Sequence, residues 1–327
     1  MASWAGRLLR WAFGTRAKPT KQAALQPRPG IALVAGSADP PGALTAGASQ
    51  ASADELELHF FEWLIGDTPA ALDASVEERL LAHVDAVSSS EQLREDLLPR
   101  ARSVIPELLH SLRDDTRSVR ALSARVARDP NLVVEVIRLA NAVAYRPDSQ
   151  VVDLMHAVSR LGTEGLRRAI ARVLLKPIFD AQADPLLGRA TQRLWQHSEL
   201  KAGLCLQQAG SVGLDPFESY LAGLMHNVGW TALLRAIDRS PDGVPQHFSC
   251  AIILALAPRR ERLFALFARS WQLSDALTSL AQEILDVGLP NARQPLAQLL
   301  LYADRAACYQ LLAPPDKPSS STDSAGV

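Results

Sequence analysis

Three short stretches carry side chains that could do chemistry. They are Trp195-Gln196-His197-Ser198, the pair His226-Asn227 just ahead of Val228-Gly229, and Asp304 within Leu301-Tyr302-Ala303-Asp304-Arg305-Ala306. Imidazoles and carboxylates hold divalent cations, and a cation held by protein ligands can activate water against a phosphoester. Each residue also has a plain structural explanation. His197 shares a helical stripe with Leu194, Leu200 and Leu204, where a buried, hydrogen-bonded histidine is common. His226 before a helix end would favour the negative end of the helix dipole. Asp304 beside Arg305 reads equally well as a surface acid. Phosphate loops of the GxxxxGK type, GxGxxG turns, HExxH and GxSxG are absent from the sequence, which removes the commonest nucleotide-binding, zinc-protease and serine-hydrolase chemistries.

The elements that must position these residues are helical. Leu, Ala, Val, Arg and Glu dominate, aromatics are 6% of the 327 residues, and no helix–strand alternation or internal repeat is visible. Glu55 to Ile65 reads as an aromatic-bearing helix ended by Gly66-Asp67-Thr68-Pro69, with another helix from about Ser75 to Val87. Asp129-Pro130 is an N-cap with proline in the first turn, followed by an apolar stripe of Leu132, Val133, Val136, Ile137 and Ala140. A helix ends at Gly162, Thr163 restarts the next and Pro177 closes it. A long amphipathic segment spans about Arg189 to Gln208. Asp215-Pro216-Phe217-Glu218 resembles a capping box whose helix reaches Asn227 and stops near Gly229. Ala251 to Ala257, flanked by Pro258, reads as a core helix. Ser274-Asp275 opens one further helix, and Pro295 opens the last, which ends before Pro314.

The termini differ in composition. Six basic residues and no acid precede Asp39, and residues 18–50 are rich in Ala, Gly, Pro, Ser and Gln, as in a disordered linker. Trp4, Leu8 and Trp11 fall at i, i+4 and i+7 with Arg7 and Arg10 on another face. Residues 3–13 therefore suit an anionic membrane surface, the alternatives being a solvated tip or a mis-assigned start. The tail, residues 313–327, is Ser- and Pro-rich. A net charge of −1 argues against a chain built to wrap nucleic acid, and pairs such as Arg167-Arg168 and Arg259-Arg260 read as solvated helix faces. Cys205, Cys250 and Cys308 stand far apart and read as reduced, buried thiols of a cytoplasmic protein. No apolar run reaches the roughly 18–20 residues needed to span a bilayer.

Taken in order, the three chemical stretches resemble the HD superfamily, whose members hold a divalent metal with histidines and aspartates from several helices. The closer resemblance is to the HDOD family. Arg128-Asp129-Pro130-Asn131-Leu132 with Arg138-Leu139-Ala140-Asn141-Ala142 is similar to one family block, and Ala157-Val158-Ser159-Arg160-Leu161-Gly162 to a second. Leu194 to Ser198 and Leu221 to Gly229 are similar to two more, and Trp271-Gln272-Leu273 fits a later one. The resemblance covers about residues 99–310. It implies an all-α, multi-helix bundle in two packed subdomains, about 99–185 and an HD-like 186–312. A helical extension, 51–98, and the N-terminal segment, 1–50, precede them.

The resemblance places Asn227 where the superfamily has a metal-binding aspartate. A neutral amide is a poor ligand beside carboxylates, so His197, His226, Asn227 and Asp304 are expected to be a vestigial polar cluster linking helices. Asp129, Pro130, Asn141, Gly162, Trp195 and Gly229 are expected to be structural. No cofactor is expected. The resemblance implies a non-catalytic bacterial regulatory module that binds a signalling protein or a nucleotide-like ligand. The alternative is a metal-dependent phosphohydrolase using His197, His226 and Asp304. The Ala/Leu-rich segment 54–98 could pack on its own domain or on a second copy, and tethering to the inner membrane face through residues 3–13 is compatible with the sequence; nucleic acid is not an expected partner.

Overall fold

The computed structural model describes residues 50–112, 123–124, 126–141, 151–180 and 184–313. The expectations for residues 3–13, for the linker and for the tail beyond 313 lie outside these residues. Among the described residues all regular structure is helical, as expected. No described helix is long and apolar enough to cross a membrane.

The chain divides into two compact units. One contains the described residues between 115 and 170, the other those of 50–114 and 171–313. This boundary differs from the division into 99–185 and 186–312. Residues 54–98 belong to the same unit as the histidine-bearing helices.

In the first unit, helix α5 (Pro130–Ala140) starts where its cap predicts: Asp129 Oδ1 accepts from the Asn131 amide at 2.8 Å, and Pro130 opens the first turn. Leu132, Val136 and Ala140 bury its apolar stripe. Asn141 closes the helix. Its Nδ2 donates to the Ile137 and Val151 carbonyls at 3.1 and 2.7 Å, and its Oδ1 accepts from the Val151 amide at 2.8 Å. A side chain with both donor and acceptor is needed there. Helix α6 (Leu154–Leu175) is two helical runs that meet at Gly162, whose φ of +63° favours glycine.

The second unit holds helices α1 (Gln50–Ile65), α2 (Ala74–Ser89), α3 (Glu91–Leu97), α4 (Ala101–Leu112), α7 (Pro185–Ala209), α8 (Pro216–Met225), α9 (Val228–Asp238), α10 (Cys250–Trp271), α11 (Asp275–Val287) and α12 (Pro295–Leu312). The 25-residue α7 is its axis and packs on α8, α9, α12 and α1. Its first amides are capped from afar: Asp238, at the end of α9, accepts from the Leu186 and Leu187 amides at 2.8 and 2.9 Å. In return, Arg189 and Arg193 of α7 donate to the Ile65 and Leu64 carbonyls and so finish the C-terminus of α1. The apolar side of α1, with Phe60, Phe61, Leu64 and Ile65 all buried, is part of the core.

Several details depart from the sequence reading. Asp215 caps α8 through the Glu218 amide at 2.7 Å, and the Glu218 carboxylate also accepts from the Ser274 hydroxyl at the cap of α11, a contact the sequence does not announce. Helix α8 ends at Met225 and α9 begins at Val228, so Gly229 lies inside a helix. A Cβ on Gly229 would meet the Arg260 carbonyl oxygen at 2.3 Å, so α9 and α10 cross with backbone close to backbone. Helix α10 does not stop at Pro258 but continues to Trp271. Cys205 and Cys308 are buried, whereas Cys250, at the start of α10, is exposed.

Candidate functional site

The second unit brings His197, His226, Asn227 and Asp304 together. His197 lies in the middle of α7, His226 and Asn227 form the two-residue joint between α8 and α9, and Asp304 is on α12. At their centre is a residue the sequence reading passed over. Lys201, one turn after His197 on α7, points its ammonium into the cluster and is 0% exposed. Its Nζ lies 2.7 Å from His226 Nδ1, 2.9 Å from Asn227 Oδ1 and 2.7 Å from Asp304 Oδ1. An ammonium has three N–H donors and no acceptor. All three are used.

These partners fix the neighbouring rings. Nδ1 of His226 must accept from Lys201, which places the ring proton on Nε2, where it is donated to Glu261 Oε2 at 2.6 Å. Asn227 presents its carbonyl to Lys201 and its amide nitrogen to the Leu194 carbonyl at 3.0 Å and to His197 Nδ1 at 3.1 Å. The other nitrogen of His197, Nε2, faces the Asp304 carbonyl and the Cys308 sulfur, each at 3.5 Å. A second cation closes the cluster. Arg260 of α10 donates from Nε to Glu261 Oε1 at 3.1 Å and from its terminal nitrogen to Glu57 of α1, and it lies 4.7 Å above the Trp230 ring. Phe60 of α1 covers His197 with ring centroids 4.6 Å apart, and Phe264 of α10 meets His226 edge-on at 4.9 Å.

The electrostatics follow from burial and pairing. Burial, with the Lys201 charge beside it, pushes His197 down to about 3, so this ring is neutral at ordinary pH. Burial acts to raise Asp304, but Lys201 outweighs it and holds the carboxyl well below the usual carboxylate range. Glu261 is likewise lowered, burial being outweighed by His226 and Arg260. Glu57 is raised because burial outweighs its pairing with Arg260. Burial and Asp304 push the Cys308 thiol well up. Buried charges of this kind persist only when paired and hydrogen-bonded, and here Lys201 and Arg260 face Asp304, Glu261 and Glu57.

A divalent metal does not fit this arrangement. Of the expected ligands, His226 Nδ1 and Asp304 Oδ1 surround Lys201 Nζ together with the Asn227 side-chain oxygen, and His197 Nδ1 is taken up by the Asn227 amide nitrogen. The cation position is taken by the protein itself. Among the described residues no group of three or more His, Cys, Asp and Glu side chains is arranged to hold an ion.

The remaining residues singled out from sequence lie elsewhere. Trp195 packs against Phe179 at 5.3 Å, with Arg172 and Lys176 over its ring. Asp129, Pro130, Asn141 and Gly162 shape the first unit, and Gly229 sets the approach of α9 to α10. Lys201, Arg260, Glu261 and Glu57 were missed. Lys201 carries a readable signal, since i and i+4 share a helix face and residue 201 therefore shares the face of His197. Arg260, read as one of a solvated pair, is buried and belongs to the cluster.

Comparison with known proteins places most of this chain in a family. The HDOD domain family matches residues 98–286, more than half of the chain. An uncharacterized protein of Treponema pallidum (strain Nichols) is 23% identical over 138 residues, which is 42% of this chain. The match spans about a quarter, 26%, of that relative's length. Among solved structures, a protein of Shewanella amazonensis SB2B, provisionally named a metal-dependent phosphohydrolase, superposes with a TM-score of 0.54 at 18% identity, over 72% of this chain and 84% of that one. An HDOD domain protein of unknown function from Geobacter sulfurreducens superposes with a TM-score of 0.50 at 20% identity, over 76% and 84% of the two chains. At these identities the likeness is one of fold.

Proposed function

The chain belongs to the HDOD domain family, and within it we propose a non-catalytic bacterial signalling module that acts by binding another protein on its HD-like helical scaffold. The observation that carries this reading is the closure of the site. His197, Lys201, Asn227 and His226 are 1%, 0%, 0% and 5% exposed, beneath a helix whose own side chains are core residues. Phe60 of α1 lies on His197 and Glu57 pairs with Arg260, and α1 is bound through Phe61, Leu64 and Ile65 as well, so this side of the cluster is covered by core packing. Hydrolysis in this superfamily also needs an ion-activated water, and here His226, Asn227 and Asp304 are engaged by Lys201 while His197 Nδ1 is engaged by Asn227. What the cluster does supply is a rigid junction of α1, α7, α9, α10 and α12, joined by charge-assisted hydrogen bonds. A surface held in one conformation binds a partner with less ordering cost.

The test is turnover. The protein is assayed against a panel of phosphomonoesters, phosphodiesters, nucleotides and cyclic dinucleotides with added Mn²⁺, Fe²⁺ or Zn²⁺. The expected rate equals that of a His197→Ala/His226→Ala variant. Metal-dependent turnover lost in that variant would contradict the reading and favour the phosphohydrolase.

A further inference from the structure

A lysine with no exposed surface is costly unless something requires a positive charge at that point. The surroundings of Lys201 have the organisation of a ligand shell. Three acceptors from two places in the chain converge on Nζ: His226 and Asn227 from the joint between α8 and α9, and Asp304 from α12. Behind them stands an orienting group. Glu261 takes the Nε2 proton of His226 at 2.6 Å and so aims the Nδ1 lone pair at Nζ. A carboxylate holding the far nitrogen of an imidazole is how metal-ligating histidines are orientated and made more basic. Here the same relay is aimed at an ammonium.

Asn227 fits the lysine rather than a metal. Its Nδ2 donates to the Leu194 carbonyl and to His197 Nδ1. An aspartate could donate to neither and would set a carboxylate oxygen against the carbonyl. The charges agree: Lys201 supplies one positive charge where an ion would supply two, and residue 227 is neutral rather than negative.

We infer that the Lys201 ammonium is a built-in replacement for a divalent cation, and that residues 201 and 227 are a matched pair, so that removing the lysine and restoring a carboxylate at 227 reopens a metal site on the same atoms. The ligands of the reopened site are His226 Nδ1, Asp304 and the carboxylate at 227. The acceptors now lie 2.7–2.9 Å from Nζ, and shrinking that shell to the roughly 2.0–2.2 Å of nitrogen and carboxylate ligands needs a closure of only ~0.7 Å. One imidazole with two carboxylates suits Mn²⁺, Fe²⁺ or Zn²⁺. The inference concerns how the cluster is held together. It does not depend on the identity of the binding partner, and turnover by the wild-type protein would overturn the functional reading by a different experiment.

The experiment compares the full chain with Lys201→Ala, Asn227→Asp, the double variant, and the double variant carrying His226→Ala. Each is prepared with and without MnCl₂ or ZnCl₂, dialysed, and read by elemental analysis and thermal melting. The double variant is expected to retain about one equivalent of metal, to melt several degrees higher with metal than with chelator, and to lose both properties with His226→Ala. The wild type is expected to show neither. Should the double variant be soluble only when produced with metal, that too supports the inference. A folded double variant that retains no metal overturns it, as does one that is insoluble with and without metal, or a wild-type protein that binds an equivalent of metal.

Discussion

Replacing Lys201 by methionine keeps much of the side chain's length and removes its charge, which isolates the electrostatic role of the ammonium. The change strands three acceptors at once: Asp304 Oδ1, His226 Nδ1 and Asn227 Oδ1. Removing one partner of a buried ion pair costs about 3–5 kcal/mol, because the other charge remains buried and uncompensated. Against total stabilities of about 5–15 kcal/mol this is a large fraction. Each kcal/mol lowers the melting temperature of a unit of this size by roughly 2–4 °C, so a fall of roughly 6–20 °C is expected. The assay is thermal and urea denaturation followed by circular dichroism. Removing the stranded charge as well, in Lys201→Met/Asp304→Asn, should recover a large part of the loss, and a double-mutant cycle measures the coupling. A cost for Lys201→Met below about 1 kcal/mol, the value of an exposed pair, or no recovery in the double variant, would refute the reasoning.

Asn227→Asp alone should destabilise by about 1–3 kcal/mol, since it removes the donor to the Leu194 carbonyl and adds a fourth carboxylate to the cluster; urea titration measures it, and a neutral or stabilising result would show that the amide nitrogen does not matter. Gly229→Ala drives a Cβ into the Arg260 backbone at 2.3 Å, so a loss of about 1–3 kcal/mol or of soluble protein is expected, whereas Gly203→Ala, where a Cβ meets nothing within 4 Å, should be tolerated. His197 gives a pH dependence of definite sign. The folded ring titrates at about 3 against 6.5 for a free histidine, so its contribution is whole above about pH 6.5 and declines as the pH falls towards 3. The slope is about 1.4 kcal/mol per pH unit. Urea midpoints between pH 6 and 4.5 should fall less steeply in His197→Gln than in the wild type, and equal slopes would mean that the ring is protonated in the folded state.

Much of the fold is legible in the sequence because helix punctuation is local. Asp129-Pro130, Gly162, Asp215-Pro216, Ser274 and Pro295 mark boundaries with their own side chains and backbone, and the structure places helix ends at them. Pro258 misleads because α10 continues through it to Trp271. The end of α8 is misplaced for a related reason: Gly229 serves the close passage of α10 and not a helix stop. The histidines, Asn227 and Asp304 can be singled out because their order along the chain resembles the His, His-Asp, Asp order of the HD superfamily. Their real partners are not. A lysine and an Arg-Glu pair on helices are ordinarily solvated, and only the three-dimensional arrangement shows that Lys201, Arg260 and Glu261 face inward and that Glu57, 204 residues before Glu261, completes the cluster.

The most direct test of the central claim, that Lys201 occupies the position an ion would need, is the metal content of untagged wild-type protein purified without chelator. Elemental analysis is expected to find well below one equivalent of any transition metal, both as purified and after incubation with Mn²⁺, Fe²⁺ or Zn²⁺ followed by dialysis. About one bound equivalent, lost in a His226→Ala variant that remains folded, would contradict the account.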